Sequence, residues 1–205
     1  MKLSESIKLV GNPVVVSDSS RDELPELFRE MGYKIGAEIG VLKGKFTEKY
    51  CQAGLKMYAV DPWMSYEGSG RTQQVQKTQD DGYEETKERL IKYPDCTLIR
   101  KISMDAIADF KDGSLDFVYI DGNHAFRYVA EDIYEWSKKV RSGGIVAGHD
   151  YFNTPPSARN LVCQVKAVVD AYINLYEIEN WWLYGKKVDA TNADDKVYSW
   201  MWIKP

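Results

Sequence analysis

The sequence predicts an α/β fold: a mostly parallel sheet of seven strands, with helices on both faces and an antiparallel hairpin at the C-terminal end. Three observations support this prediction. Apolar runs of strand length alternate with helical stripes, which is typical of βαβ units. Glycines and acidic residues stand where several strand-like runs end. Two aromatic, strand-like runs close the chain on either side of the turn-forming segment DATNADDK.

The strand-like runs and helical stripes follow one another in a regular order. The predicted strands cover residues 34–40, 57–60, 96–99, 115–120 and 145–148, and the helices 44–53, 83–93, 103–110, 129–140 and 162–172. The aromatic runs 173–184 and 197–203 form the predicted hairpin. Residues 62–82 interrupt the pattern with glycine and polar residues, so we expect a mobile lid or long loop there, a frequent location for functional residues.

The first 34 residues are predicted to form a helical appendage, and residues 35–205 to form the main domain. Apolar residues from Leu24 to Met31 have helical spacing. Asp22 is the expected N-cap, because Pro25 then falls in the first turn, where its missing N–H group costs little. Gly32 is expected to end this helix.

The composition is that of an ordinary globular protein, with 44% hydrophobic and 28% charged residues in a chain of 205. A net charge of −4 without a Lys/Arg block argues against nucleic acid or an anionic membrane as partner. Three cysteines without a CxxC pair indicate reduced thiols, and no signal peptide or membrane span is evident. We therefore expect a cytoplasmic protein with a small-molecule substrate, and a homo-oligomer stays open.

A glycine-containing turn follows the first predicted strand. It contains Glu38, Gly40 and Gly44, and Asp61 stands at the end of the next strand. A ligand can approach the backbone closely where side chains are absent, and ligands of open α/β sheets bind beyond the carboxyl ends of the strands. A carboxylate at Asp61 can accept hydrogen bonds from a ribose diol there. The alternative is a tight turn with two solvated carboxylates.

Two later motifs are more specific. LDFVYIDGNH covers residues 115–124, and GGIVAGHDY covers residues 143–151. Together with the acidic residue and glycines of the first turn, they resemble class I S-adenosylmethionine-dependent methyltransferases. The resemblance is to the family that includes macrolide-sugar and catechol-type O-methyltransferases. It covers about residues 35–152.

The resemblance implies a Rossmann-like sheet and the transfer of a methyl group from S-adenosylmethionine to a small-molecule acceptor. The expected acceptor atom is a hydroxyl oxygen of a sugar or phenol, and an amine stays open as an alternative. Asp61 would then hold the ribose, Glu38 would lie near the methionine end, and Ser103 would lie at the adenine. The full set of donor-binding residues is expected to be Glu38, Gly40, Gly44, Asp61, Ser103 and Asp121.

Asp121 and Asp150 follow two strands that are expected to be neighbours, so their carboxylates should converge beside the donor pocket. Such a pair suits Mg²⁺ or another divalent metal, which can lower the pKa of an acceptor hydroxyl. The resemblance adds His149 as a third ligand, at a position where the relatives carry a carboxylate. Imidazole suits transition metals better than Mg²⁺, so this departure bears on the identity of the metal.

Two alternatives need no metal. In the first, His124 or His149 removes the proton of the acceptor, because histidine titrates near neutral pH. The catalytic candidates are then Asp121, His124 and His149, and these two histidines are the only ones in the chain. In the second, Asp121 and His124 merely cap the helix that follows.

Several further residues have two interpretations. Tyr151, Phe152, the Pro155–Pro156 turn and Arg71 would either shape an acceptor pocket or make ordinary loop contacts. Two other functions stay open for the chain. A nicotinamide-dependent oxidoreductase would use the same glycine turn, although Leu42 stands where its fingerprint requires a second glycine. A non-catalytic assembly module that binds S-adenosylmethionine is the other alternative.

Overall fold

The computed structural model describes residues 1–64, 76–155, 162–185 and 198–205. The strands are β1 (Val14–Val16), β2 (Ile35–Ile39), β3 (Lys56–Val60), β4 (Cys96–Ile99), β5 (Leu115–Ile120), β6 (Val140–Gly148), β7 (Trp181–Tyr184) and β8 (Ser199–Ile203). The helices are α1 (Leu3–Ser6), α2 (Leu24–Glu30), α3 (Lys45–Gln52), α4 (Gln76–Leu90), α5 (Ser103–Ala106), α6 (Phe126–Lys139) and α7 (Val165–Leu175).

The described strands form one mixed sheet in the order β1-β7-β8-β6-β5-β2-β3-β4. Among them β8 alone runs antiparallel, pairing with β6 on one side and β7 on the other. This confirms the predicted fold, a Rossmann-like, mostly parallel sheet with a C-terminal antiparallel hairpin. The chain crosses from β4 back to β5 beside β2, so the strand order reverses between β2 and β5, where ligands of such sheets bind.

Both faces of the sheet are buried, and β5 shows how one strand contributes to both. Phe117 and Tyr119 pack into the cluster that includes α2 and α3, whereas Val118 and Ile120 pack into the cluster beneath α6 and α7. This alternation follows from the two-residue period of a strand. A central strand covered on both faces holds its carboxyl end firmly, which fixes the start of the loop at Asp121.

The sheet contains one strand more than predicted, because the first 34 residues contribute β1. Residues Val14 to Val16 pair in parallel with Trp182 to Tyr184. Phe28 of α2 is fully buried, with its ring centroid 4.4 Å from that of Phe117. The segment predicted as a helical appendage therefore also supplies an edge strand and part of the core. A run of three valines carries too little pattern to reveal a strand whose partner is so distant in sequence.

The predicted N-cap at Asp22 is wrong by two residues. Ser20 is the cap: its side chain accepts the Asp22 amide at 3.2 Å, and Glu23 returns a carboxylate oxygen to the Ser20 amide at 3.1 Å. This capping box starts a 3₁₀ turn over Arg21–Glu23, and α2 continues from Leu24. Pro25 lies in the first turn of α2, as expected.

Three boundaries differ from those predicted. α4 begins at Gln76, so the last part of the expected lid is helical, and residues 65–75, with Arg71, lie outside the described residues. α7 extends to Leu175, so the strand expected from residue 173 begins only at Trp181. α6 ends at Lys139, and Val140 begins β6. None of the described helices is long and apolar enough to cross a membrane.

Candidate active site

Gly40 allows two loops at the carboxyl ends of β2 and β5 to approach each other closely. Its φ is +90°, and a Cβ atom there would lie 2.2 Å from the carbonyl oxygen of Asp121 and 2.6 Å from Cα of Gly122. The sequence interpretation assigned the missing side chain to the approach of a ligand. The structure shows that the neighbouring backbone of the protein already requires it.

Asp61 fixes the same turn with its carboxylate. Oδ2 accepts the amides of Val41 at 2.9 Å and Leu42 at 3.0 Å, and Oδ1 accepts the amide of Trp63 at 2.7 Å. Burial raises the pKa of Asp61, and these three hydrogen bonds oppose the rise. A carboxylate has about four acceptor positions, so about one is left for a ribose hydroxyl, rather than the two that the sequence suggested.

Glu38 lies under the turn and is almost fully buried, with 2% of its surface exposed. Burial raises the pKa of its carboxyl to about 8, although the hydroxyl of Thr47 donates a hydrogen bond to it and Arg21 is close. Near neutral pH the carboxyl therefore exists in both protonation states. Asp121 is close enough to raise the pKa of Glu38 further, and the predicted position of Glu38 near the methionine end of a donor stays a prediction.

Ser103 belongs to a buried hydrogen-bond network that the sequence interpretation missed. Its hydroxyl donates to Asp132 of α6 and accepts the indole N–H of Trp136 at 2.8 Å. Burial raises the pKa of Asp132 to about 7, against the effect of that hydrogen bond. Because its hydroxyl is already hydrogen-bonded, Ser103 can contact a ligand only through its backbone. The residues that flank it supply any further contacts. Asp132 lies beside the apolar stripe of this helix, and the stripe alone does not predict that the carboxyl is buried.

Asp121, His124 and Asp150 meet beyond the ends of β5 and β6, which are adjacent as predicted. Nε2 of His124 lies 3.4 Å from Oδ1 of Asp121 and 3.2 Å from Oδ2 of Asp150. One potential ligand atom of each residue lies within 4.8 Å of the others. Two carboxylates and one imidazole can together hold a divalent cation, or the imidazole can exchange protons between them.

His149 lies behind this cluster and is buried, with 7% of its surface exposed. Its Nδ1 is 3.1 Å from Oδ1 of Asp150, and its carbonyl accepts the indole N–H of Trp200 at 3.1 Å. Burial alone would raise the pKa of Asp150, but the hydrogen bond and charge of His149, together with His124 and Arg21, hold it below its ordinary value. The geometry thus groups His124, not His149, with the two aspartates, and gives His149 contact with Asp150.

Neither Asp121 nor His124 caps α6. The residue before that helix is Ala125, which has no side-chain cap. The side chain of Asn123 accepts the amide of Ala125 at 3.0 Å, and that of Gln164 accepts the amide of Phe126 at 2.9 Å. The capping alternative is therefore wrong, because other side chains occupy the first amides of the helix.

Arg21 is the site residue for which the sequence gave no signal. Its Nη1 atom lies 3.0 Å from Oδ2 of Asp121, one hundred residues away in the chain, and its Cζ lies 5.1 Å from the ring centroid of Phe46. The side chain is one quarter exposed. No spacing rule connects two positions so distant. The capping box of Ser20 and Glu23 shows only that the backbone at Arg21 is fixed, and it does not indicate what the side chain contacts.

Backbone strain is concentrated at this end of the sheet. Leu42, Trp63 and Asp150 have φ values of +55°, +42° and +54°, and among the described non-glycine residues only Glu177 shares this property. Such conformations persist where the surroundings enforce them, and they cluster at functional sites. Leu42 thus adopts, without being glycine, the left-handed conformation that a glycine would favour.

Tyr151 is held away from the aspartate cluster by α7. Its hydroxyl donates to Asp170 at 2.5 Å, Lys166 donates to it at 3.2 Å, and its ring lies 5.6 Å from that of Trp181. Of the other candidates for an acceptor pocket, Phe152 packs against the core beneath α7. Pro156 and Arg71 lie outside the described residues.

A nucleoside donor and a transition-metal ion both fit the residues present. The loops after β4, β3, β2 and β5 carry Ser103, Asp61, Gly40 and Asp121 in the order of the strands across the sheet. An extended ligand can therefore contact them one after another. The donor set of Asp121, His124 and Asp150 suits Mn²⁺, Fe²⁺ or Zn²⁺ better than Mg²⁺, because one of its three ligand atoms is an imidazole nitrogen.

The fold and this site define a Rossmann-like protein of the S-adenosylmethionine-dependent methyltransferase class. The methyltransferase domain family matches residues 37–151, which is more than half of the chain. The chain belongs to this family, so the predicted enzyme class is confirmed and the oxidoreductase alternative is excluded. No curated protein matches the chain in sequence.

Solved structures show the same fold at low sequence identity. An O-methyltransferase from Bacillus cereus, in complex with S-adenosylhomocysteine, is 13% identical with a TM-score of 0.61, covering 89% of this chain and 80% of its own. The O-methyltransferase TomG from Streptomyces achromogenes, involved in tomaymycin synthesis and solved with S-adenosylmethionine, is 13% identical with a TM-score of 0.62, covering 90% and 79%. A putative caffeoyl-CoA O-methyltransferase from Staphylococcus aureus is 16% identical with a TM-score of 0.58, covering 90% and 82%.

Proposed function

We propose that this enzyme transfers the methyl group of S-adenosylmethionine to a hydroxyl oxygen of a small molecule, a sugar or a phenol, with a divalent cation at the acceptor. The observation that carries the proposal is the convergence of Asp121, His124 and Asp150 beside the Gly40 turn. O-methyltransferases among the structural neighbours support the choice of oxygen as the acceptor atom.

The donor lies across the carboxyl ends of the strands in this proposal. The loop at Ser103 borders the adenine, and Asp61 accepts one ribose hydroxyl while its backbone hydrogen bonds keep the Val41–Leu42 turn in place. Gly40 and Gly44 keep the turn compact, and Glu38 and Asp121 face the methionine end. S-adenosylmethionine supplies an electrophilic methyl group when bound, and the chain orients it toward the aspartate cluster.

The aspartate cluster prepares the acceptor. A divalent cation, when bound, polarises the acceptor hydroxyl and lowers its pKa. Asp121 and Asp150 contribute the negative charge that holds such an ion, and His124 contributes a nitrogen ligand. His149 fixes Asp150 through the contact at 3.1 Å, which keeps one carboxylate oxygen turned toward His149 and the other toward His124.

A second candidate mechanism uses His124 as a metal-free base. The observation in its favour is that Nε2 of His124 faces a carboxylate oxygen on either side while Arg21 already neutralises part of the charge of Asp121. In this arrangement His124 removes the acceptor proton and the aspartates stabilise the imidazolium that forms. The reaction is the same, and only the means of activating the hydroxyl differs.

Calorimetric titration tests the proposal in two steps. S-adenosylhomocysteine should bind at one site per chain, and failure to bind would contradict the donor site. Mn²⁺ should then bind the wild-type protein and lose at least about tenfold affinity in Asp150→Asn, because a neutral amide replaces a charged ligand. Asp170→Asn, which alters an aspartate on α7 outside the cluster, is the matched control. Equal Mn²⁺ affinity in all three proteins would exclude the metal and leave the His124 mechanism.

The proposed function also includes a cellular compartment, the cytoplasm. The three cysteines, Cys51, Cys96 and Cys163, are all free thiols in the structure, which is typical of proteins in a reducing compartment. We therefore place the enzyme in the cytoplasm and its acceptor among small molecules there. Intact-mass measurement of protein purified without reductant checks the thiols: three alkylated cysteines are expected, and a disulfide would argue against this location.

A further inference from the structure

Arg21 reaches the site from a segment that lies outside the part of the chain matched by the family. The Ser20 capping box fixes its backbone, and β1 and α2 anchor the segment on either side. Its guanidinium contacts Asp121 at 3.0 Å and lies over the ring of Phe46. A guanidinium has five N–H donors in a fork, and the contact with Asp121 uses one nitrogen.

The order of the strands determines which end of the donor lies near Arg21. Strands β4, β3, β2 and β5 are consecutive neighbours. With the adenine at the loop after β4 and the ribose at Asp61 after β3, the amino-acid tail reaches the loops after β2 and β5. Arg21 contacts Asp121, which is the first residue after β5, and its charge acts on Glu38 at the end of β2.

The charges at this place match an amino acid. The tail of S-adenosylmethionine carries an ammonium and a carboxylate, so its recognition requires acidic and basic groups side by side. Asp121 supplies the acidic group, and the guanidinium supplies the basic one. Arginine is particularly suited to a carboxylate because its planar fork can donate two parallel hydrogen bonds.

Buried hydroxyl groups around Arg21 also point to a polar ligand. The phenol oxygens of Tyr50, Tyr119 and Tyr184 are buried; Tyr119 lies close to Arg21 and Ser199, Tyr184 lies close to Ser199, and the Tyr50 hydroxyl has no hydrogen-bond partner in the described part of the chain. Burial raises the pKa of each phenol, and the charge of Arg21 opposes that rise in all three, so they lie within its electrostatic reach. Buried hydroxyls usually have partners, and a carboxylate in this place can accept from them.

We propose that Arg21 binds the carboxylate of the amino-acid tail of the methyl donor, which makes the N-terminal segment part of the donor site. The inference rests on the proposed function, because it takes S-adenosylmethionine as the donor. In this arrangement Asp121 orients the guanidinium from one side and also faces the ammonium. Arg21 acts on binding and orientation of the donor, whereas activation of the acceptor depends on His124 and Asp150.

The test compares two ligands that differ in one carboxylate: S-adenosylhomocysteine and its decarboxylated analogue, which keeps the amine. Calorimetry on the wild-type protein should show a preference of roughly 10–100-fold for S-adenosylhomocysteine. Arg21→Gln should lose that preference, binding S-adenosylhomocysteine correspondingly more weakly and the analogue within about threefold of wild type. Arg21→Lys should retain part of the preference, because it keeps the charge without the fork.

Controls separate this inference from the proposed function. Arg29→Gln changes an exposed arginine of the same segment, paired with Glu26, and should leave both affinities unchanged. If Arg21→Gln weakens both ligands equally, Arg21 only supports Asp121 and the proposal is overturned. A wild-type protein that binds both ligands equally also overturns it, even where Arg21→Gln fails to fold. A wild-type protein that binds neither ligand contradicts the proposed function itself.

Discussion

The proposed donor half and the proposed acceptor half of the site differ in how their polar groups are satisfied. In the donor half, Asp61 and Ser103 are engaged by the protein: three backbone amides bind the carboxylate, and Asp132 and Trp136 hold the hydroxyl. In the acceptor half, two carboxylates and an imidazole face one another. The donor half is held in place by the protein's own hydrogen bonds. In the acceptor half, the charges depend on whether a proton or a cation is bound between the side chains.

The comparison predicts that His124→Ala acts on chemistry alone. Methyl transfer should fall roughly 10²–10⁴-fold, because the metal-free mechanism loses its base and the metal mechanism loses a ligand of the cation that polarises the hydroxyl. Affinity for S-adenosylhomocysteine should stay within about twofold, since the donor half is unchanged. Radiolabelled methyl transfer to a catechol and sugar panel, with calorimetry alongside, measures both quantities. A variant that loses donor affinity as well would show that the two halves are not separate.

Gly40→Ala should disrupt the close approach of the loops after β2 and β5. The new Cβ would lie 2.2 Å from the Asp121 carbonyl at a φ of +90°, so the loops after β2 and β5 must separate. We expect a loss of roughly 3 kcal/mol or more in the free energy of unfolding, measured in urea. Gly32→Ala is the matched control: its φ is +78°, but nothing lies within 4 Å of a Cβ there. It should cost only about 1 kcal/mol from backbone strain. Equal losses in both variants would contradict the close approach.

The Asp132 network predicts a pH dependence of stability. The folded-state pKa of Asp132 is raised to about 7, so its contribution is fully present below about pH 4 and is lost as the pH rises toward 7. Relative to Asp132→Asn, the wild-type protein should lose roughly 1–4 kcal/mol over that interval. Urea unfolding at each pH measures the difference. Asp105→Asn, at an exposed position of α5, should show no such trend, and a flat difference for Asp132→Asn would contradict the buried carboxyl.

Asp61→Asn should produce the smallest of these effects. An amide offers one acceptor oxygen where the carboxylate has two, so at least one backbone amide of the turn loses its partner. We expect about tenfold weaker binding of S-adenosylhomocysteine and faster hydrogen exchange at the amides of Val41 and Leu42. Unchanged exchange with weaker binding would mean that Asp61 serves the ribose and not the turn.

The sequence was a good guide to the central strands and a poor one to side-chain direction. The apolar runs at 115–120 and 145–148 correctly predicted neighbouring strands, because buried parallel strands are continuous in hydrophobicity. The strand ends at Gly148 and the backbone becomes left-handed at Asp150, where φ is +54°, so His149 turns into the interior while Asp150 faces His124. The sequence does not indicate which of these side chains faces the cluster, and the resemblance to relatives suggested His149 as a ligand instead of His124.

Long-range contacts account for the remaining differences. Arg21 and Asp121 are joined only by the tertiary fold, and β1 is recognisable as a strand only once its partner is in place. The burial of Asp132 could not be predicted, because an aspartate beside an apolar helix stripe usually has its carboxylate in solvent. Each of these features depends on what the chain packs against, which local periodicity does not report.

The pairing of β1 with β7 has a consequence for the order in which the enzyme is made. Asn12 and Trp181 are 169 residues apart yet share a side-chain hydrogen bond at the sheet edge. During synthesis the segment with Arg21 leaves the ribosome well before β7, the strand with which its edge strand pairs. The central strands can assemble in the meantime. The edge strand that precedes Arg21 therefore gains its partner only after β7 has been translated, and a chain interrupted before β7 would lack that support for the arginine.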